Sequence, residues 1–468
     1  MVIEMLFSAP IFLFAFLPIF LAAFYLTRGV WRDVVVLVAS VFFYAWGAPV
    51  FVFLVLASSA FDFWLGAIIH RTGSKRAVAI GVMANLAILF YFKYTNFFIE
   101  NLNALALAHL GAAIPHLNII LPIGVSFIVF EKITYLVDIK RGITKPADSL
   151  HKYVTYVFLF PKILAGPIIK YHDIQAQLSA RTVTFDDFTI GALRFMFGLA
   201  KKLLIADACG EMADNVFGNA AHMSSVGAWI GALCFTVQIY FDFSAYSDMA
   251  IGLARMMGFR LMENFNSPYV SRSFTEFWRR WHISLSTWIR EYLYIPLGGN
   301  RKGPWRTNFN LWICFVLSGL WHGSTWNFVI WGAYNGCFLI FDKYFWLKHQ
   351  SKVAPWIQTG LTFFFVIFGW VIFRAATLED ARQMIALMVS FRGDGIVPYV
   401  DRSVIAALVF GLTASFFTWE FTERKLREIR ISRAFALSAA SIILLGLTAF
   451  SAGKAVAVSF HPFLYFRF

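Results

Sequence analysis

The chain is a succession of apolar runs separated by short basic loops, and that alternation restricts it to folds that a bilayer can accommodate. The runs lie near residues 6–27, 34–47, 50–69, 77–98, 118–138, 152–169, 225–252, 309–342, 356–375, 403–421 and 433–452. Of the 468 residues, 59% are hydrophobic and 14% charged, with a mean hydropathy of +0.67. Soluble domains are normally about a quarter charged, so much of this surface needs an apolar solvent. The length predicts roughly ten to twelve spanning helices at about 20 residues each, with the remainder in loops. An all-α polytopic membrane protein is expected, read as one domain over 1–468 because no fixed-period repeat or low-complexity linker interrupts it.

The net charge of +14 raises the question of a nucleic-acid partner, and the placement of the basic residues decides against one. Arg28 and Arg32 follow the first run, Arg71, Lys75 and Arg76 the third, and Lys140, Arg141 and Lys145 the fifth. Segments 48–50 and 99–117 contain no Lys or Arg. This is the positive-inside pattern, and it predicts cytoplasmic basic loops and an N-terminus outside. The run Leu6 to Thr27, preceded by Glu4 and no basic stretch, reads as a retained helix and not a secretory signal. Cys209, Cys234, Cys314 and Cys337 lack metal-ligand spacing and read as small apolar residues, with no metal expected.

Several runs are broken. Pro122 and Gly124 interrupt 118–138, and Pro161, Gly166 and Pro167 interrupt 152–169. Broken helices at membrane depth need protein or a water-filled cavity to satisfy their backbone, so these segments either line a cavity or pack as kinks. Asp242 and Asp248 lie in a run otherwise apolar, where a carboxylate marks a functional site or pairs with a neighbouring Lys or Arg. Trp278, Trp281, Leu285, Trp288, Tyr292 and Ile295 recur at steps of three and four. That spacing predicts an interfacial or re-entrant helix over 274–295, ended by Pro296, Gly298 and Gly299.

Two of the ten histidines have notable settings. His322 lies deep in an apolar run between Gly319 and Gly323, which suits either a polar pocket or a neutral ring bonded to the next helix. Its flanking glycines would let a ligand or another backbone approach. His282 follows Trp281 amid Arg279, Arg280 and Arg290, and fits a site or an interfacial position. The G-x-S-x-G, Walker, H-E-x-x-H and G-x-G-x-x-G patterns are missing, as is His-x-x-x-x-Asp.

Seven stretches carry a resemblance. They are Pro122-Ile-Gly-Val-Ser-Phe127, Leu164-Ala-Gly-Pro167, Tyr240-Phe-Asp-Phe-Ser-Ala-Tyr-Ser-Asp248, Arg279-Arg-Trp-His-Ile-Ser-Leu-Ser286, Tyr294-Ile-Pro-Leu-Gly-Gly-Asn300, Leu320-Trp-His-Gly323 and Pro462-Phe-Leu-Tyr465. Together they resemble the bacterial membrane-bound O-acyltransferases, in particular the membrane subunits of exopolysaccharide O-acetyltransferases. One departure is Glu131, where many relatives carry Gln.

The resemblance implies a ring of tilted helices, with re-entrant segments, around a central funnel in the bacterial inner membrane. It implies His322 and His282 as catalytic residues, with Asp242, Trp281, Trp321 and Asn300 around the pocket. It also implies acetyl transfer from a cytoplasmic thioester, acetyl-CoA, to an envelope polysaccharide such as alginate or cellulose. Expected partners are an extracytoplasmic acetyltransferase of the serine-esterase type, the polysaccharide synthesis and export machinery and membrane lipid. Arg279, Arg280, Arg290, Arg301, Lys302 and Arg306 would offer cations to the donor phosphates. Other readings are a transporter or acetyl-donor channel, or transfer of a D-alanyl or longer acyl group to teichoic acid, peptidoglycan or lipid.

Overall fold

A computed structural model describes residues 5–106, 113–164, 166–390, 393–418, 433–457 and 463–464. Glu4, Ala165, Pro462, Tyr465 and the basic stretch 422–432 lie outside these. The described residues are mostly helical, and their β contact is an isolated bridge between Met223 and Ile396. Five helices among them are long and apolar enough to cross a membrane: Val30–Gly47, Phe51–Thr72, Lys75–Leu105, Ser225–Met256 and Pro355–Arg374. Phe12–Leu26, Arg402–Ser415 and Ser441–Ser451 are apolar but shorter. The expectation of ten to twelve rested on chain length, and several of the apolar runs are not single straight elements.

The run 118–138 is one of these. Its helix is Val125–Arg141, and the chain before it is not helical. Gly124 starts the helix at φ +71°, and a Cβ there would meet the Ile163 carbonyl oxygen at 2.5 Å, so both the turn and the close approach require glycine. The run 152–169 divides into Leu150–Phe158 and the single turn Phe160–Ile163. The break leaves the Phe160 N–H free of the helix ladder, and the Ser40 hydroxyl accepts it at 3.2 Å. Residues on both sides of the break are buried, which is the condition under which irregular backbone survives at membrane depth.

The chain forms two compact units, Met1–Phe195 with Met249–Met262, and Met196–Asp248 with Glu263–Phe468. In the first, Phe51–Thr72 and Lys75–Leu89 both pack on Val125–Arg141. Charge joins all three. Lys132 on Val125–Arg141 pairs with Asp62 at 3.1 Å, and the Asn85 amide donates to both Asp62 oxygens at 3.1 Å. Glu131, one residue earlier, pairs with Lys162 and accepts the Ile169 N–H at 3.4 Å. The position that departs from many relatives thus carries one half of a buried ion pair. At the start of Phe185–Ala200, Thr184 and Asp187 cap each other, and Arg255 pairs with Asp187 at 3.2 Å.

The second unit contains the hairpin Gly303–His322 and Trp326–Phe341, with Pro355–Arg374 packed on its second arm. A Cβ at Gly319 would strike the Phe328 carbonyl, and one at Gly332 the Phe315 carbonyl, so glycine at these crossings lets two backbones touch. Segment 376–402 contains the helix Leu378–Ser390, whose start is capped by reciprocal Thr377 and Asp380 bonds. The expected helix over 274–295 is also corrected. It divides into Phe274–Arg280, Ile283–Ile289 and a π-helical turn Arg290–Tyr294, with Trp281 and His282 between the first two.

Candidate functional site

The break at His282 has a local cause. His282 adopts φ +43° and ψ +56°, a left-handed conformation that only one other non-glycine described residue, Ser267, shares in sign of φ. A non-glycine residue there costs on the order of 1–3 kcal/mol and persists only where its surroundings impose it. The imposing segment is 264–266. Asn266 N–H donates to the Arg280 carbonyl at 3.0 Å, and Ile283 N–H donates to the Asn264 carbonyl at 2.9 Å. The Asn264 side-chain oxygen accepts the Ser284 N–H at 3.1 Å and the Ser284 hydroxyl at 2.9 Å, and stands 3.2 Å from His282 Nδ1. Asn264 and His282 are both fully buried.

His322 ends the helix Gly303–His322 and is 5% exposed. Trp321 joins the two histidines, its ring centroid 6.3 Å from His282 and 4.9 Å from His322. Phe243 meets the His282 ring edge-on at 4.6 Å, and Trp331 meets His322 edge-on at 5.2 Å. Phe373 stands 5.5 Å from His322. Trp281 belongs to the same wall, 4.8 Å from Trp370, which in turn lies 6.0 Å from Trp331. This wall is held by hydrogen bonds from Trp370 Nε1 to the Tyr269 hydroxyl at 3.1 Å and from that hydroxyl to the Thr236 carbonyl at 2.7 Å. His282 lies outside the five candidate spans, and burial lowers the pKa of its ring, which favours the neutral form.

Gly323 touches the Phe328 ring, so the residues beside His322 admit neighbouring protein. The two imidazoles and the Asn264 amide at Nδ1 are polar groups set among aromatic side chains.

Asp242 and Asp248 take the paired reading. Lys202 lies 2.8 Å from Asp242 and 2.7 Å from Asp207, and Lys201 lies 2.8 Å from Asp248. Both lysines lie in the π-helical turn Lys201–Ala206, whose widened backbone allows consecutive charges to reach inward. Asp242 also accepts the Leu464 N–H at 2.8 Å, while Phe463 packs at 4.6 Å on Tyr246 and 5.8 Å on Phe243. Asp242 thus fixes the helix face from which Phe243 reaches His282.

The remaining expected site residues lie elsewhere. Arg279, Arg290, Arg301 and Lys302 are exposed. Arg280 is held by Glu276 at 2.9 Å and by the Asn266 carbonyl at 3.1 Å, and Arg290 by Glu291 at 3.1 Å. Arg306 lies 5.4 Å over the Phe309 ring. Asn300 is exposed, and its side-chain oxygen accepts the Tyr294 hydroxyl at 2.5 Å. Sequence reasoning missed Asn264, Ser284, Lys201, Lys202 and Asp207. The two lysines carried a signal, consecutive cations inside the apolar stretch Gly198-Leu-Ala-Lys-Lys-Leu-Leu-Ile205, whereas Asn264 sits in a polar loop that nothing in the sequence distinguishes.

Residues 145–379, half of the chain and including both histidines, match the model of the membrane-bound O-acyltransferase family. A protein of Pseudomonas putida named probable alginate O-acetylase AlgI is 42% identical, over 99% of this chain and the whole of that protein. The protein of that name in Pseudomonas aeruginosa is 44% identical over 87% of this chain and 79% of its own length. The peptidoglycan O-acetyltransferase of Helicobacter pylori is 34% identical over 84% of this chain and 81% of its own. By these matches, the chain belongs to the membrane-bound O-acyltransferase family and is an O-acyltransferase.

Proposed function

We propose that this chain takes an acetyl group from a cytoplasmic thioester, acetyl-CoA, and passes it across the bacterial inner membrane for O-acetylation of an envelope or extracellular polysaccharide. The names of the relatives support an acetyl group and a glycan acceptor. The observation that carries the reading is the pair of buried histidines on either side of Trp321. A hydroxyl is a weak nucleophile at neutral pH, and a neutral imidazole is a base suited to activating it.

His322 takes the proton of the attacking hydroxyl as its oxygen bonds to the thioester carbon. The tetrahedral oxyanion that forms is met by a nearby donor, for which His282, a Trp indole N–H and a backbone N–H are the candidates. Collapse breaks the C–S bond, and the proton returns from His322 to the departing thiolate. Exposed Arg279, Arg290, Arg301 and Lys302, with Arg280 and Arg306, supply cations for the donor phosphates.

The acceptor of the acetyl group is an extracytoplasmic serine-esterase-type acetyltransferase that works with the polysaccharide machinery. The N-terminus outside, and a central funnel in which the two substrates approach from opposite sides, belong to this proposal. The test is transfer from labelled acetyl-CoA by the purified protein in lipid nanodiscs, with an oligosaccharide or the partner as acceptor. The wild type should release free CoA and label the acceptor, and His322→Ala should lose both. Equal transfer by the two proteins would remove His322 from the reaction. Uptake of label into vesicles without CoA release would point to a carrier.

A further inference from the structure

The contacts of Asn264 fix a property of His282 that the position of the ring alone does not. A backbone N–H can only donate, so the Asn264 atom 3.1 Å from Ser284 N is necessarily the oxygen. Rotating the amide by half a turn would set its NH2 against that N–H. The Ser284 hydroxyl, 2.9 Å from the same oxygen and 3.5 Å from His282 Nδ1, donates to the nearer oxygen. His282 Nδ1, at 3.2 Å, then faces an acceptor, and attraction requires the ring proton to sit on Nδ1. A neutral imidazole carries one ring proton, so Nε2 holds a lone pair.

We propose that Asn264 is a positioning residue that holds neutral His282 with its proton on Nδ1, leaving Nε2 to accept a hydrogen bond from a substrate O–H. Toward substrate this rests on the reading of His282 as a site residue, while the tautomer itself does not. The assignment takes His282 off the list of oxyanion donors while it is neutral and leaves that task to an indole or backbone N–H. It also gives the strained left-handed backbone a purpose. The segment 264–266 pairs with both sides of the break, through Asn266 to Arg280 and through Asn264 to Ile283, so the loop that imposes the conformation also carries the tautomer-setting oxygen. Phe243 and Trp321 stand against the ring and restrict its rotation away from that oxygen.

The decisive measurement is nitrogen NMR of the full-length protein in nanodiscs with 15N-labelled histidine, His282 being assigned by its disappearance in His282→Gln. It needs no acyl donor, so it stands or falls independently of the acetyl-transfer proposal. The expected result is a protonated Nδ1 and an unprotonated Nε2 in the wild type and in Asn264→Asp, whose carboxylate keeps the acceptor. Asn264→Ala should lose this preference. A proton on Nε2 in the wild type would overturn the inference, even if Asn264→Ala does not fold. In the transfer assay, Asn264→Asp should stay within about 10-fold of the wild type, while Asn264→Ala should fall by on the order of 10²-fold, the lower range for losing a positioned proton acceptor. If Asn264→Asp fell as far as Asn264→Ala with its fold and tautomer intact, the positioning role would be wrong.

Discussion

The two units bury polar groups in different ways. In the first, Lys132 with Asp62, and Lys162 with Glu131, are charges of opposite sign on different helices, closed on one another, with the Asn85 amide donating to Asp62. In the second, Lys202 closes in the same manner on Asp207 and Asp242, but the two histidines meet Trp321, Phe243, Trp331 and the Asn264 amide. A charge enclosed by its counter-charge is inert and positions helices. An imidazole among rings and an amide is a group of another kind, one that can exchange a proton near neutral pH. The contrast separates buried polar groups closed on one another from those proposed to act on a substrate.

That separation can be broken at several points. The largest effect is expected at His322→Gln, which keeps a neutral polar side chain of similar length. Transfer should fall about 10²- to 10⁴-fold, the usual range for general acid–base groups, while thermal unfolding stays near that of the wild type. Unfolding shifted as far as activity would make His322 a structural residue.

Next come single removals from a closed charge set. Lys202→Met leaves Asp207 and Asp242 facing each other in a buried site, and the expected loss of stability is about 3–5 kcal/mol. Detergent-resistant unfolding, followed by tryptophan fluorescence, measures it. In the first unit, Asp62→Leu and Lys132→Met should each cost about 3–5 kcal/mol alone, whereas the double variant should recover most of the loss because no charge is left unmatched. Additive losses in the double variant would contradict the pairing, and unchanged transfer in it is part of the prediction.

The smallest effect concerns acid. The Thr184 hydroxyl, with the guanidinium groups of Arg255 and Arg260, holds the Asp187 carboxyl below the usual carboxylate range against the opposing effect of burial. A folded-state pKa below the unfolded value of about 3.9 gives stability that is present above that pH and lost as pH falls through the folded pKa. Asp187→Asn should therefore lower stability at neutral pH by about 1 kcal/mol or less, as partly exposed pairs do. Its difference from the wild type should shrink on acidification below about pH 4, and a constant difference down to pH 2 would contradict the assignment.

The histidines were singled out in the sequence, and what holds them was not. His282 and His322 stood out because a titratable ring in an apolar or aromatic setting is rare, and Asp242 because a carboxylate there needs a partner. The helix break at His282 left no trace. Trp278, Trp281, Leu285 and Trp288 keep helical spacing straight through it, and its cause is a contact with Asn264, 18 residues upstream. The same limit explains the helix count. Apolar composition is shared by a spanning helix such as Phe51–Thr72 and by the short, buried pieces Leu150–Phe158 and Phe160–Ile163, so it reports the need for an apolar surrounding and not the course of the backbone. Arg280 was legible as a cation, but its partner Glu276 was not singled out, and their ion pair is a local helix contact.

The most direct test of the account compares one variant from each arrangement in a single assay. CoA release from acetyl-CoA in the presence of acceptor should be abolished by His322→Gln in a protein that unfolds like the wild type. The same assay should remain within a few-fold of wild type in the Asp62→Leu/Lys132→Met double variant. CoA release that survives loss of His322, or that vanishes in a stably folded double variant, would contradict the division between charges that hold the fold and histidines that carry the reaction.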